Sequence, residues 1–230
     1  MTIKLYDLSG DDGRRFSPYC WRTKMALAHK GLEFETLPTM FVEIGNLADN
    51  NRTSVPVIED DDVCIQDSFE IALYLEETYP DGPSLFGGQG GQSAARFIEA
   101  WTFAALHPHI VKMIIADIHN CLNPADHDYF RETREKMLGA PLEEIQAARD
   151  ERLKPFHRAM QPLRAMLAKQ PFIGGDSPQF ADYIVFGSLQ WPRVASAFDL
   201  MPPADDPVSQ WFERCLDLHD GLGRSMIAAT

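Results

Sequence analysis

Cysteine is scarce, and what there is does not pair. The four cysteines stand at positions 20, 64, 121 and 215, so there is no C-x-x-C couple, no zinc-type cluster and nothing like a secreted disulfide framework. A reducing cytoplasm is the expected compartment. Unbroken hydrophobic runs are lacking too. The most apolar stretch, Phe97 to Ile118, carries Glu99, His107, Lys112 and Asp117, which makes it a buried helix rather than a membrane span. Positive charge is the third shortage. Twenty-one Lys and Arg face 34 Asp and Glu, a formal charge of -13. Such a field repels phosphate backbones and anionic bilayers, so neither nucleic acid nor membrane is expected as a partner. It does not forbid a small anion held in a local positive pocket. The opening MTIKLYDL has no basic region or cleavage site of a leader, and no internal repeat is visible.

What is present is ordinary globular material: 230 residues, 45% hydrophobic and 24% charged. That length suits two compact domains, and a chain of this size buries roughly 70–75% of its unfolded surface without a disulfide or metal. Ile3 to Leu8 alternates apolar and polar as a half-buried strand does. Pro18 to Lys30 reads as a helix stopped by Gly31, and Phe34 to Leu37 as a strand ended by Pro38. A partly helical segment then runs to about Asn51. Val55 to Ile58 and Val63 to Ile65, around Asp60-Asp61-Asp62, make a hairpin, and Asp67 opens another helix. The order βαβ then ββα is that of a thioredoxin-like domain, over residues 1–82. Residues 83–91, with Gly87-Gly88-Gln89-Gly90-Gly91, read as a linker. Residues 92–230 read as an all-helical domain, with helices over 93–120, 126–138, 142–169, 179–198 and 206–218. The expected fold class is thus α/β plus all-α.

Three local features carry chemistry. Val55-Pro56 sets a proline at the opening of an interior strand. That is awkward for the ladder, and is tolerated either at an edge or as a cis peptide that turns the neighbouring N–H and C=O outward. Asp67-Ser68 opens a helix with a D-x-x-E cap to Glu70. Beyond capping, free N–H groups and the Ser68 hydroxyl suit a carboxylate there, and Asp67 an ammonium. The third is Phe16-Ser17-Pro18-Tyr19-Cys20, with Ser17 at a helix start and Pro18 in the first turn. A hydroxyl beside free N–H groups is a cap, or a donor that lowers a thiol pKa. Lowering it from about 8.5 to about 6.5 raises the thiolate at pH 7 from roughly 3% to about 75%, while nucleophilicity drops about eightfold. A net threefold or so remains, so holding the second substrate in line must supply most of the acceleration.

Together the SPYC segment, the VPVIEDDD hairpin and the QDSFEIALYLEETYP helix resemble the glutathione-binding domain of glutathione transferases. The resemblance implies that Ser17 polarises the glutathione thiol. It also implies that the Val55 backbone pairs with the cysteinyl part, and that Asp67 and Ser68 grip the γ-glutamyl end. Ala181 to Gly187 looks like the family's buried C-terminal helix, with Asp182 as capping acid and Gln179 standing where Ser or Thr is usual. SPYCWRTKMALAHKG and ADYIVFGSLQW look most like bacterial β-aryl etherases and related fungal serine-type transferases. Implied with them are glutathione as co-substrate, no metal, a homodimer, and displacement of a phenolate from a hydrophobic aromatic electrophile. The electrophile pocket is expected from the loop Ser9 to Phe16 and from Trp101, His107, Met113 and Trp191, side chains that also suit plain core packing.

Two other readings stand beside this one. SPYC resembles a redox motif with its first sulfur replaced, which leaves a thiol–disulfide oxidoreductase resting on Cys20. A non-catalytic carrier of hydrophobic ligands is the other. His107-x-His109 with His119 and Cys121 offers no convincing metal set.

Overall fold

The computed structural model describes residues 2–47 and 52–230. Six elements build the first domain: β1 (Ile3–Leu8), α1 (Pro18–His29), β2 (Phe34–Thr39), β3 (Val57–Asp60), β4 (Val63–Gln66) and α2 (Ser68–Thr78). The sheet runs β2-β1-β3-β4. β1 and β2 are parallel, Leu5 opposite Thr36, and the other two pairings are antiparallel, with Leu5 opposite Ile58. Buried Ile3 and Leu5 alternate with exposed Lys4 along β1, the period a half-covered strand requires.

Boundaries in this domain differ from the sequence reading: β3 covers Val57–Asp60 rather than Val55–Ile58, so Val55-Pro56 precedes the strand. β2 runs through Pro38 to Thr39 instead of ending at the proline. It is an edge strand, so the missing N–H costs no ladder bond on the open side. The segment after it is a 3-10 turn over Phe41–Asn46; the end expected near Asn51 lies outside the described residues.

The second domain is helical: α3 (Gln89–Trp101), α4 (His107–Asn120), α5 (His127–Leu138), α6 (Leu142–Ala147), α7 (Arg149–Ala159), α8 (Gln161–Leu167), α9 (Phe180–Ala195) and α10 (Pro207–Ser225). α3 begins inside the stretch read as a linker. The glycines there serve geometry: Gly88 sits at φ +106°, and a Cβ on Gly91 would overlap the Phe86 carbonyl. The helix expected over 93–120 is split by a π turn at Thr102–Leu106, in which the His107 N–H reaches back to the Thr102 carbonyl. Pro108 explains the split, since it has no N–H for the Ala104 carbonyl and its ring crowds that group. The stretch over 142–169 is three helices, with Pro155 inside α7 and Pro162 in the first turn of α8. α10 leaves helical geometry at Leu218–Gly221.

α9 is the spine of the molecule, with fourteen of its residues buried. Asp182 secures its start, as the sequence suggested, and without a Ser or Thr cap. Its fully buried carboxylate accepts from the Gln179, Ile173 and Gly174 N–H groups and from Trp211 Nε1, at 2.7–3.0 Å. α9 packs along α1, where Trp21 meets Phe186 edge-to-face, so the helical domain directly supports the helix that carries Ser17. No helix among the described residues is long and apolar enough to cross a membrane.

Candidate functional site

Ser17 is the N-cap of α1. Its Oγ accepts the Cys20 N–H at 3.3 Å, and Pro18 occupies the first turn. Only 3% of Ser17 is exposed, and that exposure opens onto a cavity of about 500 Å³. The loop before it is held tightly. Trp21 Nε1 donates to the Arg15 carbonyl at 2.7 Å, Arg15 reaches Ser9 Oγ at 2.6 Å, and buried Asp7 pairs with Lys24 at 2.7 Å. Of the loop Ser9 to Phe16, Phe16 is the residue that reaches the cavity wall.

The Val55-Pro56 peptide is cis. Val55 lines the same cavity as Ser17, with Thr53 and Ser54 beside it. Gln66 fixes that loop, its Nε2 donating to Thr53 Oγ1 and Ser54 Oγ, both at 3.0 Å. The loop continues directly into the start of α2, because the Asp67 N–H donates to the Pro56 carbonyl at 3.3 Å. Asp67 is the N-cap of α2 at φ 85°, its Oδ1 accepting from the Phe69 and Glu70 N–H groups. Ser68 is 1% exposed, and its Oγ has no partner among the described residues. The two caps and the cis-proline loop thus lie at one end of the sheet, Ser17 and Val55 on the cavity wall and Asp67 and Ser68 outside its lining.

The helical domain closes the other side. His107 and Trp191, both expected there, line the cavity with their rings 5.8 Å apart. Trp101 and Met113 are not among its lining. Each stands six residues from His107, and six residues turn an α-helix through about 600°, roughly two-thirds of a turn away from its face. On α4 the cavity face is His107, Pro108, Val111, Lys112, Ile115 and Ile118, while Met113 points into the fully buried core. The remaining wall was not read from the sequence: Tyr19, Phe41, Phe103, Tyr129, Phe130 and Arg134. Tyr19 had a signal, lying two residues after Ser17 in the same turn. Phe41 had none, because Asp126, distant in sequence and fully buried, accepts its N–H at 3.0 Å and that of Val42 at 2.9 Å.

The electrostatics suit an apolar guest. Among the described residues no carboxylate lines the cavity, although the chain carries 34 of them. Buried Arg22 pairs with Glu99 at 3.1 Å and lies over the Tyr19 ring. Burial, reinforced by Arg22, pushes the His107 imidazole down to about 3, so it is neutral. Cys20 is fully buried beside Asp7, and burial drives its thiol far above its ordinary value; an inert thiol there leaves the disulfide-exchange chemistry without a nucleophile. No metal-holding group of His, Cys, Asp and Glu occurs among the described residues.

Known proteins share these two domains and their fold. Residues 13–84 match the glutathione S-transferase N-terminal domain and residues 94–218 the glutathione S-transferase C-terminal domain. The chain is 28% identical over 139 residues to the glutathione S-transferase-like protein ustS of Aspergillus flavus, covering 55% of this chain and half the length of that relative. Glutathione transferase GSTFuA3 of Phanerochaete chrysosporium superposes with a TM-score of 0.77 at 26% identity, over 99% of this chain and 95% of that one. The fold is shared as well with the glutathione S-transferase CsGST83044 of Ceriporiopsis subvermispora, solved in complex with glutathione. There the TM-score is 0.74 at 24% identity, over 98% and 96% of the two chains. With both domain types matched in order along the chain, this protein belongs to the glutathione S-transferase family.

Proposed function

We propose that this protein is a serine-type glutathione transferase, in which Ser17 donates to the glutathione thiolate and the aromatic cavity holds a hydrophobic electrophile. The observation that carries the reading is the position of Ser17, a helix-capping hydroxyl on the wall of a 500 Å³ cavity whose far side is apolar and aromatic. Oγ accepts the Cys20 N–H, a bond that leaves the hydroxyl hydrogen able to turn toward a ligand. Among the described residues nothing bonds the Val55 N–H or C=O, which suits pairing with a peptide-like ligand. The orphaned Ser68 hydroxyl and the Asp67 carboxylate suit the carboxylate and ammonium of a γ-glutamyl end. A chain of the same fold binds glutathione.

Within that class, the reaction we favour is displacement of a phenolate from a β-aryl ether ketone. Thiolate sulfur bonds to the ether-bearing carbon, the carbon–oxygen bond breaks, and the phenolate leaves with the electron pair. The aromatic wall of Tyr19, Phe103, Tyr129 and Trp191 supports an aryl guest. Incubation of the protein with glutathione and such a ketone should release a phenol. Conjugation of halogenated aromatics without phenol release would leave the transferase and remove the etherase. A homodimer is the proposed assembly, supported by Phe97 at 69% and Val63 at 42% exposure, and sedimentation would reveal it. The cytoplasm is the proposed compartment, in keeping with four unbridged cysteines.

A further inference from the structure

His107 is more than an apolar wall, and its hydrogen bonds say which kind of guest it prefers. Its Nε2 lies 2.9 Å from Ser188 Oγ, and that same hydroxyl lies 3.0 Å from the Ile184 carbonyl. A carbonyl can only accept, so the single hydroxyl hydrogen of Ser188 is committed to Ile184. Were it turned to the histidine instead, two oxygens would face each other at 3.0 Å. Ser188 therefore receives a proton from Nε2–H. A neutral imidazole carries one N–H, so Nδ1 is a bare lone pair. His107 is 6% exposed and lines the cavity. Nδ1 has no partner among the described residues, and it is not one of the sealed, unsatisfied atoms. Tyr19, Phe103 and Trp191 pack their rings around it, all within 6 Å centroid to centroid. Among these rings the imidazole thus presents a bare nitrogen acceptor, with its tautomer fixed from behind.

We infer that His107 Nδ1 selects electrophiles bearing a hydrogen-bond donor on the aromatic ring, hydroxylated aryl compounds above all, and holds them by accepting that hydroxyl. The inference rests on the reading of this cavity as the electrophile site and names its substrate class. A guest lacking the donor leaves the lone pair unsolvated, and sites built around a polar group discriminate against analogues that cannot pair with it.

The test separates binding from turnover. Quenching of tryptophan fluorescence would be titrated with 2-naphthol and with 2-methoxynaphthalene, which differ in the donor, on the glutathione-loaded protein. Conjugation of a halogenated nitrobenzene would be followed in parallel. Wild type should favour the naphthol by about 3- to 10-fold, the span of one net hydrogen bond. His107→Phe should abolish the preference. His107→Gln keeps a donor for Ser188 but no acceptor at the Nδ1 position, and should abolish it too. His107→Asn retains an oxygen there and should keep part of it. Equal binding of the two probes by wild type, or an undiminished preference in His107→Phe with native circular dichroism, would overturn the assignment. Absence of conjugation with the naphthol preference intact would sink the transferase reading and leave this subsite standing.

Discussion

Gly187 of α9 lies against Pro18 of α1 so closely that a Cβ on the glycine would overlap the Pro18 carbonyl oxygen. The turn that presents Ser17 is thus seated on the buried spine of the helical domain, and backbone cannot yield as a flexible side chain can. Gly187→Ala should destabilise the protein by about 1–3 kcal/mol through overpacking. It should also raise KM for glutathione by displacing the first turn of α1. Urea unfolding and initial rates check the two effects. An unchanged KM would show that the contact serves packing alone.

Ser17→Ala tests the role of the hydroxyl through pH. If Ser17 lowers the bound thiol from about 8.5 to about 6.5, the thiolate fraction at pH 6 falls roughly 75-fold in the variant. The more basic thiolate recovers about eightfold of that in nucleophilicity, leaving a deficit of about tenfold. By pH 9 both thiols are largely ionised, so the eightfold gain in nucleophilicity prevails and the deficit should reverse to an advantage of about sixfold. A pH–rate profile for kcat reads this directly. A deficit constant across pH would instead assign Ser17 to positioning.

Acid stability should report two histidines, buried His107 and half-buried His219. Burial pushes His107 down to about 3 and His219 down to about 4, each helped by a neighbouring cation or imidazole. Both groups bind fewer protons folded than unfolded below about pH 6.5. Their contribution is therefore complete above that pH and is lost as pH falls toward the folded values. The slope is about 1.4 kcal/mol per pH unit for each fully shifted group, so His107 forfeits about 2 kcal/mol between pH 6.5 and 5. His107→Phe should flatten the pH dependence of urea-unfolding free energy by that amount over the same interval. Identical slopes for the two proteins would contradict a neutral buried imidazole.

Much of this was legible because its signals are local. Caps at Ser17 and Asp67, the proline before β3, and the period-two pattern of β1 act over a few residues, and the structure places each where the sequence put it. What the sequence concealed depends on tertiary context. Pro38 stays in a strand because β2 has a free edge, and Gln89–Trp101 begins among glycines because Gly91 must pass the Phe86 carbonyl. Which face of α4 meets the cavity is likewise set by tertiary packing: His107 lines it, while Met113, six residues on and so about two-thirds of a turn away, is buried in the core. Phe41 joins the cavity through a carboxylate 85 positions away, a contact no local pattern encodes.

That carboxylate offers the sharpest check on how the two domains share the cavity. Asp126 accepts the consecutive N–H groups of Phe41 and Val42 from within a fully buried position. Asp126→Ala would leave two amide donors to find water or lie unpaired, at a cost of about 2–3 kcal/mol. For a chain of this length that lowers Tm by roughly 4–12 °C. Phe41 lines the cavity beside Tyr129 and Phe130, so its release should raise KM for the electrophile several-fold. KM for glutathione should move far less, because Ser17, the Thr53-Ser54 loop and the start of α2 are held by bonds of their own. Thermal melts and the two KM values, measured on one preparation, separate these effects. A variant that melts early with both KM values unchanged would confine Asp126 to stability and detach Phe41 from substrate binding.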